Sequence, residues 1–140
     1  MESFFAGTPF LYEFALEEYS EEAHMAPGVL TYTVMMESSQ AVMDGYVWCT
    51  TTRDILNENW AKIQVSMELN DRAIRRENMD LEVYEDGDIA CNFLTVLLSD
   101  WPDGQHSFAV TATFTAPLND GFGDYAAGDY SEVYTIHVGD

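Results

Sequence analysis

The residues best suited to chemistry in this chain are oxygen donors gathered among glycines. In the stretch Leu118–Asp129, reading LNDGFGDYAAGD, Asn119, Asp120, Asp124 and Asp129 are hard ligands beside glycines that allow sharp turns, and calcium is the cation such a set would take. Glu85, Asp86 and Asp88 form a second acidic group around Gly87. Neither follows the EF-hand loop pattern, and the same residues also make ordinary turns. Cys49 and Cys91 stand 42 positions apart with no CxxC, which is not zinc spacing. A disulfide is the expectation, two buried thiols the alternative. Catalysis finds little support. His24, His106 and His137 are isolated, no GxSxG occurs, and neither cysteine has basic neighbours. Carboxylate pairs for glycoside hydrolysis are uninformative in a chain with 25 acids. Among the aromatic residues, Trp101, Phe122 and Tyr125 adjoin expected loops and form the candidate binding surface for carbohydrate or a protein.

Charge limits the partners. The chain has 25 acidic residues against five basic ones, a net charge of −20, and all five bases lie between Arg53 and Arg76. Spread over a folded surface of roughly 7,300 Å², twenty excess charges stand about 19 Å apart, beyond a Debye length of about 8 Å. Self-repulsion is tolerable, and the acidic coat disfavours nucleic acid and anionic lipid. At 140 residues and 47% hydrophobic composition, one domain with its own core is expected. No apolar run is long enough to span a membrane, so no membrane insertion is expected. The opening MESFFAGTPFLYEF lacks the basic segment of a signal peptide.

The elements that must position these groups are short alternating runs. Phe10, Tyr12, Phe14 and Leu16 suggest a first strand, and Leu30, Tyr32, Val34 and Met36 a second. Asp44-Gly45 reads as a break before a strand over 46–52. Arg53–Trp60 (RDILNENW) contains helix formers behind a capping threonine. Ile63, Val65, Met67 and Leu69 form the next strand, followed by a charged connection over 71–78 and a short strand around Leu81 and Val83. The run 89–98 is apolar on both faces, as a central strand covered on two sides would be. Trp101–Thr115, WPDGQHSFAVTATFT, is a turn and then a strand with Phe108, Val110, Ala112 and Phe114 facing the core. A loop over 116–129 leads to a last strand over 130–138. Seven to eight strands with one short helix around 53–60 predict an all-β, antiparallel sandwich. Residues 29–140 form that domain, with 1–28 an N-terminal arm or added edge strand.

The run DGQHSFAVTAT, Asp103–Thr113, resembles the penultimate strand of immunoglobulin-like or fibronectin type III-like domains in secreted bacterial proteins, where an Asp-Gly turn leads into a His- or Tyr-containing strand. The resemblance implies an immunoglobulin-like sandwich acting as a non-catalytic adhesive or structural module, extracellular or at the cell surface. Its partner would be another protein or another copy of itself, with an arm donated to a neighbour's sheet edge as one route to assembly. Antibody domains place a tyrosine two residues before the second cysteine, and Ile89 stands there instead. Two other classes remain open: an intracellular acidic mimic of DNA phosphates, and a calcium-dependent carbohydrate-binding module. No cofactor other than calcium is expected.

Overall fold

The computed structural model describes residues 8–18, 20 and 22–139. Its ten strands, among the described residues, are β1 (Gly28–Met36), β2 (Val42–Thr50), β3 (Ile63–Leu69), β4 (Arg72–Ala73), β5 (Asp80–Glu85), β6 (Ala90–Leu98), β7 (Gly104–Phe114), β8 (Leu118–Asn119), β9 (Asp124–Tyr125) and β10 (Gly128–Val138). A five-stranded sheet in the order β1-β10-β7-β3-β4 faces a three-stranded sheet in the order β2-β6-β5, and β8 and β9 form a small hairpin. The chain is an all-β sandwich. Seven strands are long, and three two-residue strands lie in segments expected to be connections or loop. One pairing departs from the antiparallel expectation: β1 runs parallel to β10, with Tyr32 opposite Tyr134 and Val34 opposite Ile136.

Alternation sets the core. Phe108, Val110, Ala112 and Phe114 of β7 are all buried, and so are Tyr134, Ile136 and Val138 of β10. Every residue from Ala90 to Val96 is buried, so β6 is covered on both faces as its composition predicts. The helix α1 (Arg53–Trp60) starts where Thr52 accepts the Ile55 N–H through its side chain. Leu56 is fully buried beneath it, and Asn59 accepts a hydrogen bond from the Trp48 indole at 2.9 Å, joining α1 to β2. Trp48 meets Phe114 and Tyr125 edge-to-face at about 5 Å, filling the gap between sheets at that end.

Two sequence expectations are corrected. Phe10 to Leu16 does not form a strand. Leu11–Phe14 is a 3-10 turn, closed by a hydrogen bond from the Phe10 N–H to the Glu13 carboxylate, and it drives Leu11 into the core at 0% exposure. Isolated bridges on either side tie this turn to both sheets, Phe10 to Met43 of β2 and Ala15 to Val34 of β1. Residues 10–15 thus cross from the edge of one sheet to the edge of the other. Asp44-Gly45 is likewise not a break but the middle of β2, paired with Val96 and Thr95. The absent side chain of Gly45 is what lets the two backbones meet there: a Cβ would lie 1.9 Å from the Leu94 carbonyl oxygen.

The disulfide joins Cys49 and Cys91, directly opposite each other on β2 and β6. It is therefore a staple within one sheet. Replacing both cysteines by alanine is expected to lower unfolding free energy by up to about 4 kcal/mol, the loop-closure value for such a loop. Gly45→Ala is expected to cost about 3 kcal/mol, because backbone rather than a flexible side chain must yield. Urea midpoints of both variants against the parent test these values.

Candidate functional site

The chain's most unusual chemistry lies between the sheets, on the side crossed by the N-terminal turn. Asp44 points inward from β2 at 5% exposure, and its Oδ2 has no hydrogen-bond partner. Glu132 points inward from β10, in the row that also holds Leu30 of β1 and Val110 of β7. Burial first, and the nearby Glu132 carboxylate second, push the Asp44 carboxyl well above the usual carboxylate range, outweighing a hydrogen bond from the Gly45 N–H. Both effects favour the neutral form of Asp44. Tyr46, two residues along the same face of β2, is pushed far above the ordinary phenol range by burial and then by Tyr125, Tyr130 and Glu132.

Glu132 has a partner from outside the sandwich. His24 sits in a 3-10 turn, Glu22–Met25, and its Nε2 lies 2.5 Å from Glu132 Oε2. Its Nδ1 lies 2.6 Å from the Ser20 carbonyl, and Tyr32 Oη is 3.4 Å from Nε2. The group consists of a buried acid, a second acid at the rim, an imidazole and two tyrosines. Open clefts of about 610 Å³, beside Met35, Gln105 and His137, and of about 310 Å³, beside Ile55, Glu58 and Lys62, include none of these residues.

The residues singled out in the sequence are scattered. Asn119, Asp120 and Asp124 share the β8–β9 hairpin, where one oxygen of each is engaged within the hairpin: Asp120 Oδ1 accepts from the Phe122 and Gly123 amides, Asn119 Oδ1 from Gly121, and Asp124 Oδ1 from the Asn119 side-chain amide. Asp129 stands apart on β10, accepting from Thr113 Oγ1 on the outer face of the large sheet. Asp86 is similarly engaged by the Asp88 amide, the Tyr84 hydroxyl and the Ile89 amide, which together lower its carboxyl against a small opposing effect of burial. No cluster of three or more His, Cys, Asp or Glu side chains poised for a metal occurs among the described residues.

The candidate binding surface also divides. Trp101 is not exposed but buried at 6%, against His106, because the turn at Pro102 folds it into the core. Tyr125 is half-buried against Trp48, while Phe122 is 65% exposed at the hairpin tip. His106 donates from Nε2 to the Pro102 carbonyl and accepts at Nδ1 from the Asn70 amide.

Sequence reasoning missed Asp44 and Glu132. Glu132 carried a signal: the alternation of Tyr134, Ile136 and Val138, extended back by two residues, puts it on the core face. Asp44 was masked by the glycine after it.

No family model matches the chain, and no curated protein does. Among solved structures, similarity reaches the Plasmodium falciparum protein Pf12p, with TM-score 0.40 and 10% identity over 85% of this chain and 45% of that one. It also reaches titin kinase and its flanking domains, with TM-score 0.30 and 20% identity over 79% of this chain and 16% of that one. The chain spans less than half the length of either.

Asp44 yields a prediction about pH. Its carboxyl binds a proton more tightly in the folded than in the unfolded chain, so its ionisation lowers stability as pH rises from the ordinary aspartate range through the raised folded value. Asp44→Asn, which keeps the shape without the titration, is expected to raise the melting temperature by several degrees at pH about 8 and hardly at all near pH 4. Thermal melts across that range check the sign; an equal or opposite shift at both ends would refute it.

Proposed function

We propose that this chain is a non-catalytic, immunoglobulin-like interaction module that works in an oxidising compartment and associates with copies of itself. Strand order carries the reading. Taken as the second to last strands of such a sandwich, β2, β6 and β5 stand as B-E-D, and β10, β7, β3 and β4 as G-F-C-C′. His106 supports it further. The tyrosine corner of these domains sits near the start of the penultimate strand and bonds to backbone a few residues upstream. Here His106, at the start of β7, bonds to the Pro102 carbonyl four residues upstream. The disulfide departs from the antibody pattern by linking B to E within a sheet. Its presence fits an extracellular or cell-surface setting and disfavours an intracellular mimic of DNA phosphates. The bonds that Asn119, Asp120 and Asp124 make within the β8–β9 hairpin lend no weight to a calcium-dependent carbohydrate module.

The surface best suited to association is the outer face of the five-stranded sheet. Thr31 and Thr33 of β1, Ser131 and Thr135 of β10, and Thr111 and Thr113 of β7 give its centre small, uncharged side chains. Its acids are Asp129 and Glu68 at the ends of their strands and Glu17, whose carboxylate is taken up by the Thr33 amide and hydroxyl at the β1 edge. In a chain of net charge −20, this is where two copies approach with least repulsion. Sedimentation velocity at rising concentration is expected to give a mass climbing above the 15.8 kDa of one chain. Val133→Arg, at the centre of that face, should hold the mass at one chain, while Leu97→Arg on the other sheet should behave as the parent. A parent mass of one chain at every concentration would overturn self-association.

A further inference from the structure

We infer that the open edge of β5 takes up an extended strand of another protein, one that alternates basic and apolar residues. Edge coverage singles it out. Among the described residues, the long strands at the ends of the two main sheets are β1, β2 and β5. The β1 edge is met by Ala15, which bridges to Val34, by the Leu16 amide on the Thr33 carbonyl, and by the Glu17 carboxylate on the Thr33 amide. On β2, the Met43 amide donates to the Pro9 carbonyl, and Thr51 just beyond the strand donates to the Asp120 carbonyl. Among the described residues, no such bond reaches β5 from its open side.

Backbone direction and side-chain phase define the occupant. The Asp86 amide closes the β5–β6 turn on the Ile89 carbonyl at 3.0 Å, so Tyr84, Glu82 and Asp80 are the residues whose backbone bonds to β6. The amides and carbonyls of Leu81, Val83 and Glu85 therefore face away from β6, as a row to which a strand can add. Leu81 and Val83 pair with Leu94 and Asn92 on the inner face of the sheet, yet they are 44% and 37% exposed. The opposite sheet ends in the two-residue β4, and these side chains stay uncovered. An incoming strand sets apolar side chains beside them. On its other phase it meets Asp80 and Glu82, both exposed, and no base lies on β5 or β6. Opposite charges across a strand pair stabilise it, and like charges oppose it. The matching segment thus carries Lys or Arg at positions i and i+2, with an apolar residue between. This chain contains no such segment, because no two of Arg53, Lys62, Arg72, Arg75 and Arg76 stand two positions apart. The occupant is therefore a different protein, and the site lies on the other sheet from the face proposed for self-association.

Titration with a blocked peptide of alternating lysine and valine tests the inference. It is run at about 0.15 M salt, where unspecific attraction to an acidic protein is screened, and is read by amide exchange on the full chain. At saturation the Leu81, Val83 and Glu85 amides should gain at least about tenfold protection, while Glu82 and Tyr84, already bonded to β6, change little. Val83→Pro removes an outward donor without touching the β6 ladder and should weaken binding about tenfold. Glu82→Lys should weaken it about tenfold as well, whereas Glu58→Lys, the same charge change on α1, should leave it unchanged. A peptide with the same lysines and valines grouped in two blocks should bind at least about tenfold more weakly, and one with glutamate for lysine should not bind. Equal binding of either control peptide, or no protection gained at the three amides, would overturn the inference. So would binding that Glu82→Lys leaves intact, whether or not Val83→Pro folds. Protection of those amides that rises with protein concentration alone would also overturn it, because a second copy would then be the occupant.

Discussion

The close approach of β2 to β6 is the constraint from which much of this structure follows. With no side chain at Gly45, the β2 backbone presses against the Leu94 carbonyl, and two turns of the pleat further on the same pair of strands is covalently joined at Cys49 and Cys91. That ladder fixes which residues of β2 face inward: Val42, Asp44, Tyr46, Trp48 and Thr50, with Asp44, Trp48 and Thr50 opposite Val96, Asn92 and Ala90. A slip by one residue would send Trp48 to the outside and bring Val47 in. It would break the Trp48–Asn59 bond that seats the helix and empty the space beside Phe114. The staple and the glycine thus hold register at a place where one inward position carries an acid.

Tolerating that acid shapes the neighbouring surface. A buried carboxyl is stable as a neutral group, and Glu132 nearby reinforces that state by opposing a second negative charge. Glu132 itself reaches the rim, where His24 meets it. One side of the sandwich therefore depends on where protons reside as well as on apolar packing. The N-terminal crossing spans this same side, with Leu11 supplying the apolar plug and the histidine turn the polar closure.

What was legible in the sequence followed periodicity. β3, β6, β7, β10 and α1 could be read within a residue or two, because long alternating runs and a threonine cap are local signals. The failures occurred where local and tertiary preferences conflict. Asp-Gly is a strong turn signal, yet at 44–45 the glycine serves interstrand contact, which only the partner strand's position reveals. Phe10, Tyr12, Phe14 and Leu16 alternate as a strand would, but Glu13 closes a 3-10 turn by bonding back to Phe10, and Leu11, on the opposite phase, proved to be the buried residue. Side-chain composition likewise does not reveal which oxygens of the acidic loop are engaged: in the folded hairpin, Asp120 Oδ1 accepts from the Phe122 and Gly123 amides.

The distribution of charge separates scaffold from surface. Acids dominate the turns and the exposed edge strand β5, where Asp80, Glu82 and Glu85 flank an unpaired row of backbone groups. Negative side chains along an open edge oppose pairing with a second copy there, a common protection for edge strands. The outer face of the large sheet has no such guard at its centre. If the chain were acidic only for solubility, the two surfaces would carry similar charge. The edge that would aggregate is lined with acids, whereas the broad face of the other sheet has uncharged side chains at its centre. Under the proposed self-association, that contrast favours the face over the edge, without requiring the N-terminal crossing to leave its own sandwich.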